Sequence, residues 1–277
     1  MNTITINDKK LAYEVRGTGD PVLLLHCGFV ADSLLPLMNN SNLAEQYRLI
    51  NYHRVGYGQS DRASGPMSVA QQAADARALL QQLGIQRAHI VGHSYGGVVA
   101  LQLALDAPEV VHSLALLEPS IPAALGDPEV ALKFMEGVGK AFAQFGAGDK
   151  AGAVDTWLTG AFGPGYREIA DRALPGWFEQ AAEDADVVFQ VEAANIQQWN
   201  FTPVEAVRIT QAVLSAYHQD NWPGFQKAHD LLKEWIPQTE TAVLPIERHL
   251  LQIMNPSAVA VELADFFARH PIKVYAK

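Results

Sequence analysis

The sequence predicts an α/β fold, a mostly parallel sheet with helices on both faces. Three observations predict it. In the first 120 residues, short apolar runs alternate with longer segments of helical spacing, and strands joined by helical crossovers form parallel sheets. From about Ile121 to Val204 the strands stop, and Ala-rich helical segments follow one another, broken by Gly160, Gly163-Pro164-Gly165 and Pro175-Gly176. After that stretch the alternation resumes. The expected organisation is a sheet core of residues 1–120 and 205–277, interrupted by a helical insertion of residues 121–204.

Each element has its own signal. Thr3–Ile6 and Leu11–Val15 form a hairpin around the turn pair Asn7-Asp8. Pro21–Cys27 is a continuous apolar run, the pattern of a strand covered on both faces. Leu34–Gln46 reads as one helix and Tyr47–Tyr52 as a strand. Ser68 caps a helical pattern that Gly84 ends. Ala88–Gly92 is a strand, Tyr95–Ala107 a helix stopped by Pro108, and Val111–Leu117 a further strand. Late in the chain, Gln211–Tyr217 and Thr241–Leu244 are strands, and Gly224–Trp235 and Pro256–Arg269 are helices.

Composition removes several function classes. The 277 residues are 49 % hydrophobic and 18 % charged, which supplies a large core and too little charge for a disordered chain. No apolar run approaches the ~18 residues of a membrane span. Met1-Asn2-Thr3-Ile4-Thr5 lacks the basic start and apolar stretch of a signal peptide, so a cytoplasmic location is expected. The net charge of −10 argues against binding a nucleic-acid backbone. The single cysteine, Cys27, rules out an internal disulfide and a cysteine zinc cluster. Residues 127–204 carry twelve acidic and five basic side chains, a net of −7, so most of the charge lies in the insertion.

The strongest chemical signal is Gly92-His93-Ser94-Tyr95-Gly96-Gly97, between a strand and a helix. Serine on such a turn projects its hydroxyl above the carboxyl edge of the sheet, and the helix N-terminus beneath favours developing negative charge. A serine hydroxyl needs a base. His249 follows the last strand and precedes the last helix, which places it at the same edge. Among the other histidines, His93 is expected to point away along the turn. His26 closes an early strand, where it could line a pocket. His89, His112, His229 and His270 read as structural. The acid that orients the imidazole should follow the strand Gln211–Tyr217, which selects Asp220; Glu118, just after Val111–Leu117, is the competitor. Oxyanion donors are expected from the backbone N–H of Tyr95 and from the loop His26-Cys27-Gly28-Phe29, with Gly28 first and Phe29 next. Cys27 has no charged neighbour to activate it and is read as packing. Phe29, Tyr95, Trp157, Phe162, Phe178 and Trp199 are candidates for an apolar pocket.

Together these residues resemble the α/β-hydrolase superfamily over nearly the whole chain. The resemblance runs through His26, Gly56-Tyr57-Gly58-Gln59-Ser60, Gly92–Gly97, Asp220, His249 and the final helix segment Pro256–Phe267. It is nearest to the single-domain esterase, haloperoxidase and carbon–carbon bond hydrolase group, in which a helical cap covers the active site; residues 121–204 would be that cap. The chain departs from the family pattern at Cys27, where glycine is usual, at His53 and Val55 in the loop after the second core strand, and at Tyr217-His218-Gln219-Asp220, where the usual glycine is missing. Haloalkane dehalogenases and epoxide hydrolases place Asp where Ser94 stands.

The resemblance implies a serine hydrolase that cleaves small to medium apolar esters, lactones or related acyl compounds, with a small-molecule substrate and no cofactor or metal. Substrate contacts would come from Phe29, His26, Trp157 and Phe162. A homodimer stays open, and no nucleic-acid or membrane partner is expected. The same triad would also serve carbon–carbon bond hydrolysis or cofactor-free perhydrolysis, and a ligand sensor that keeps the pocket without turnover is the non-enzymatic alternative.

Overall fold

In the computed structural model, which describes residues 1–63, 65–126, 128–218, 222–246 and 248–273, the apolar runs become one eight-stranded sheet. Its strands are β1 (Asn2–Ile6), β2 (Lys9–Arg16), β3 (Asp20–Leu25), β4 (Tyr47–Tyr52), β5 (Ala88–His93), β6 (Val111–Leu117), β7 (Ala212–His218) and β8 (Thr239–Leu244). Their order across the sheet is β1-β2-β4-β3-β5-β6-β7-β8. Only the β1–β2 and β2–β4 pairs are antiparallel. From β4 to β8 the sheet is parallel, so each loop that follows one of these strands leaves from a single edge.

Helices cover both faces. Between β3 and β4 lie α1 (Leu35–Met38) and α2 (Ser41–Ala44). This corrects the single helix expected over Leu34–Gln46. Asn40 stops the run, and its side chain accepts the Leu43 N–H at 3.3 Å to cap the second turn; asparagine competes for backbone groups in this way. The next two crossovers are α3 (Val69–Gln82), with a complete capping box at Ser68 and Gln71, and α4 (Tyr95–Asp106). Both pack on one face of the sheet in a core that includes Leu79, Val98 and Leu114.

Every described element between β6 and β7 is helical. A 3-10 turn (Pro122–Gly126) leads to α5 (Pro128–Gly146), α6 (Lys150–Phe162), α7 (Tyr166–Ala173) and α8 (Trp177–Glu183). A π-helical turn (Val187–Glu192), α9 (Ala193–Gln198) and α10 (Pro203–Ala206) complete the segment. It packs against the loop after β3 in its own cluster, which joins Phe29, Tyr57, Leu158, Trp177 and Val188. Two of its acidic side chains are buried against the loop after β4: Asp184 pairs with Arg62 and Glu192 with Arg54. Part of the segment's negative charge therefore anchors it to the sheet. The chain ends with α11 (Pro223–Trp235), α12 (Leu251–Met254) and α13 (Pro256–Arg269). Helix α13 joins α1 and α2 on the second face, where Phe266, Phe267, Leu37 and Leu43 meet. Among the described residues no helix is long and apolar enough to cross a membrane.

Candidate active site

Strand β5 delivers Ser94 to the carboxyl edge, and the turn is strained there. Ser94 has φ 54° and ψ −118°, a conformation that costs on the order of 1–3 kcal/mol and persists only where the surroundings fix it. They do so from two sides. The Ser94 N–H donates to Leu117 O at 3.0 Å, and the Ser120 N–H donates to Ser94 O at 3.2 Å. The turn also needs a glycine two residues on. A Cβ on Gly96 would lie 2.1 Å from Leu25 O, so α4 can approach the end of β3 only without a side chain there. Helix α4 begins at Tyr95 and turns its N-terminus towards Ser94. Phe29 and Glu118, which follow the neighbouring strands, also have positive φ, 63° and 45°.

The loop after β8 brings His249 to this edge, buried to 3 % exposure. Its Nδ1 lies 2.6 Å from Glu118 Oε2. Glu118 is itself 1 % exposed. Its other oxygen, Oε1, accepts the backbone N–H of His218 at 3.0 Å and lies 2.5 Å from His218 Nδ1. Burial alone would raise the Glu118 pKa, but the hydrogen bonds from His218 and His249 overcome it and hold it at about 2. The carboxylate is thus ionised at neutral pH and placed to accept a hydrogen bond from His249 Nδ1. The His249 ring stacks on Phe225, with centroids 4.0 Å apart. His93 supports the same loop from below: its Nε2 donates to His249 O at 2.9 Å, while Gln252 donates to its Nδ1 at 3.0 Å.

Ser94 and His249 open into one cavity of about 260 Å³, between the sheet edge and the helical segment. Gly28, Phe29, Tyr95, Trp157 and Phe162 line it. Ser120 lines it too, with its hydroxyl 3.2 Å from Ser94 Oγ. A serine hydroxyl, an imidazole held by a buried carboxylate and backbone N–H groups at a helix start are group types that acyl transfer can use. Among the described residues no group of His, Cys, Asp and Glu is arranged to hold a metal.

The family model of the alpha/beta hydrolase fold matches residues 20–256. The chain belongs to the α/β-hydrolase family. RutD of Azorhizobium caulinodans, a protein named for carbamate hydrolysis, is 36 % identical over 110 residues, which are 40 % of this chain and 41 % of RutD. The match thus spans about two fifths of that curated relative. Two solved structures share the fold across the chain at 18 % identity. An enol-lactonase from Burkholderia xenovorans LB400 has a TM-score of 0.75 and covers 96 % of this chain and 100 % of its own. A thermophilic esterase from Thermogutta terrifontis has a TM-score of 0.78 and covers 98 % and 99 %.

Several expected residues of this α/β hydrolase sit elsewhere than the sequence implied. His26 does not line the cavity. Its ring is fully buried, with Nε2 accepting the Arg54 N–H at 3.0 Å and Nδ1 lying 2.7 Å from Cys27 O. Burial, with Arg54 close by, pushes its pKa well below the usual histidine value. Phe178 lies under the guanidinium of Arg167, and Trp199 stacks on Phe201 and donates to Gln102; neither lines the cavity. Cys27 is buried, and its thiol is pushed up to about 11 by burial, as packing predicts. His89 and His229 pair with buried serines, while His112 and His270 engage a carbonyl and Glu240. Asp220 lies outside the described residues. His218, Ser120, Phe225 and Glu192 carry no local signal in the sequence, because each reaches the site through a partner at least 24 residues away in the chain or through the cavity itself.

Proposed function

We propose that this chain is a serine hydrolase of small to medium apolar esters, lactones or related acyl compounds, with Ser94 as nucleophile, His249 as base and Glu118 as the orienting acid. One observation carries the reading: His249 Nδ1 is bound by a buried, ionised carboxylate in a cavity that the ring shares with the strained Ser94. Ser94 Oγ attacks the scissile carbonyl carbon and passes its proton to His249 Nε2. The carbonyl oxygen becomes an oxyanion facing the N–H groups of Tyr95 and Gly28. Collapse breaks the bond to the leaving group, which takes the proton from His249, and leaves an acyl-enzyme. Water then repeats the sequence with His249 as base and releases the acid. The helical segment 122–206 acts as the cap, and Phe29, Trp157 and Phe162 form an apolar wall suited to the acyl chain. The esterase, the enol-lactonase and the carbamate-hydrolysis name among its relatives agree with acyl chemistry.

The purified protein is expected to hydrolyse p-nitrophenyl butyrate, with Ser94→Ala losing at least about 10³-fold in kcat. Cleavage of a β-diketone with no ester hydrolysis would replace this reading by carbon–carbon bond hydrolysis on the same residues. Ligand-induced thermal stabilisation without any product would replace it by a sensor.

A further inference from the structure

Glu192 is the one carboxylate among the described residues that line the apolar cavity. It is 2 % exposed and closes the π-helical turn Val187–Glu192; such turns are rare and occur often at functional sites. Arg54 Nη1 binds its Oε1, and the same guanidinium donates to Cys27 O at 3.1 Å and to Gln72 Oε1 at 2.5 Å. The other oxygen, Oε2, lies 3.1 Å from the point that a Cβ on Gly28 would occupy. Arginine thus engages one side of the carboxylate; the buried Tyr57 hydroxyl also lies within hydrogen-bonding range of the group, and Oε2 sits beside the loop proposed to bind the oxyanion.

Stability alone does not call for a charge here, since apolar side chains of similar volume commonly replace a buried ion pair at no cost. An ionised carboxylate can only accept hydrogen bonds. We propose that Glu192 is a specificity residue that accepts a hydrogen bond from a neutral N–H borne on the α-carbon of the acyl group, so that N-acylamino acyl compounds are preferred over their CH₂ counterparts. This inference rests on the serine-hydrolase reading. With the carbonyl oxygen at the Tyr95 and Gly28 N–H groups, the acyl substituent falls beside Gly28, within reach of Oε2. A buried acceptor with spare lone pairs favours the substrate that brings a donor over the analogue lacking it, because the carboxylate then keeps only Arg54 and the Tyr57 hydroxyl as partners. A carboxylate at that point would be repelled, and Arg54 disfavours a full cation by neutralising its counter-charge.

Two p-nitrophenyl esters differ at one atom: the N-acetylglycine ester carries N–H where the levulinate ester carries CH₂. The ratio of their kcat/KM values, compared between proteins, cancels their intrinsic reactivity. In Glu192→Gln, Arg54 retains the amide oxygen and the NH₂ group turns towards Gly28, so a donor faces the substrate's donor. The ratio is expected to fall about tenfold from the wild-type value. The double variant R54M/E192L, which removes both charges and keeps the site packed, should show the same fall and serves if the single variant does not fold. Ratios equal in all three proteins would overturn the inference and leave Glu192 as an anchor between the helical segment and the loop after β4. A wild-type protein whose Ser94 fails to react with a fluorophosphonate would instead overturn the hydrolase reading, and this inference with it.

Discussion

Glu118→Gln is expected to lower kcat for p-nitrophenyl butyrate about 10³- to 10⁴-fold, the loss typical when a triad acid becomes its amide. The direction follows from the two oxygens of Glu118. Oε1 receives the backbone N–H of His218, which can only donate. The amide oxygen of glutamine must therefore stay on that side, and its NH₂ takes the place of Oε2 opposite His249 Nδ1. A donor there forces the imidazole proton onto Nε2, the wrong tautomer for a base. Since the side chains are nearly the same shape, the variant should keep its far-ultraviolet circular dichroism. Asp220→Asn, measured beside it, should cost far less. A Glu118→Gln enzyme within tenfold of wild type, with Asp220→Asn reduced a thousandfold, would transfer the role to Asp220.

The protein should also lose stability steadily as the pH falls from about 6.5 towards 3. Burial holds His89 and His93 neutral and lowers their pKa values to about 3, and His26 is pushed down in the same direction. Unfolded histidine titrates near ~6.5. Between these limits the unfolded chain binds more protons than the native one, so stability is present above about 6.5 and is lost as pH falls towards the folded value. Each such group contributes a slope of up to about 1.4 kcal/mol per pH unit. Glu118 acts lower down: its contribution is intact above the usual glutamate value of ~4.3 and is lost between there and about 2. Glu192 and Asp75, whose pKa values burial raises, offset part of the loss. Urea midpoints at pH 7, 6 and 5 measure the trend, and a midpoint that holds level or rises on acidification contradicts it. His89→Gln should flatten the dependence without touching the site, because His89 packs on Phe267 and Ser113 away from the cavity.

Much of the fold was legible because its signals are local. Continuous apolar runs marked β3, β5 and β6, and the glycines around Ser94 marked a strand-to-helix turn that only small residues can build. The orienting carboxylate was not legible, since Glu118 and Asp220 both follow strands that end at the same edge. What favours Glu118 is register and backbone: Leu117 pairs with Ala216, the Glu118 N–H donates to Ala216 O, and a positive φ turns the residue at the end of β6. His93 and His218 escaped for a related reason. Their partners lie 156 and 100 residues away, and two of those contacts involve backbone atoms. Glu192 was hidden by its π-helical turn, which shifts the side-chain phase away from the 3.6-residue spacing that sequence patterns use.

The central claim is that Ser94 is a nucleophile activated by His249. A fluorophosphonate probe followed by peptide mass analysis tests it most directly. The native protein should be labelled at Ser94 in one-to-one stoichiometry, and Ser94→Ala and His249→Ala should remain unlabelled while still folded. A native protein that stays unlabelled, or a Ser94→Ala variant labelled as fast as wild type, would contradict it.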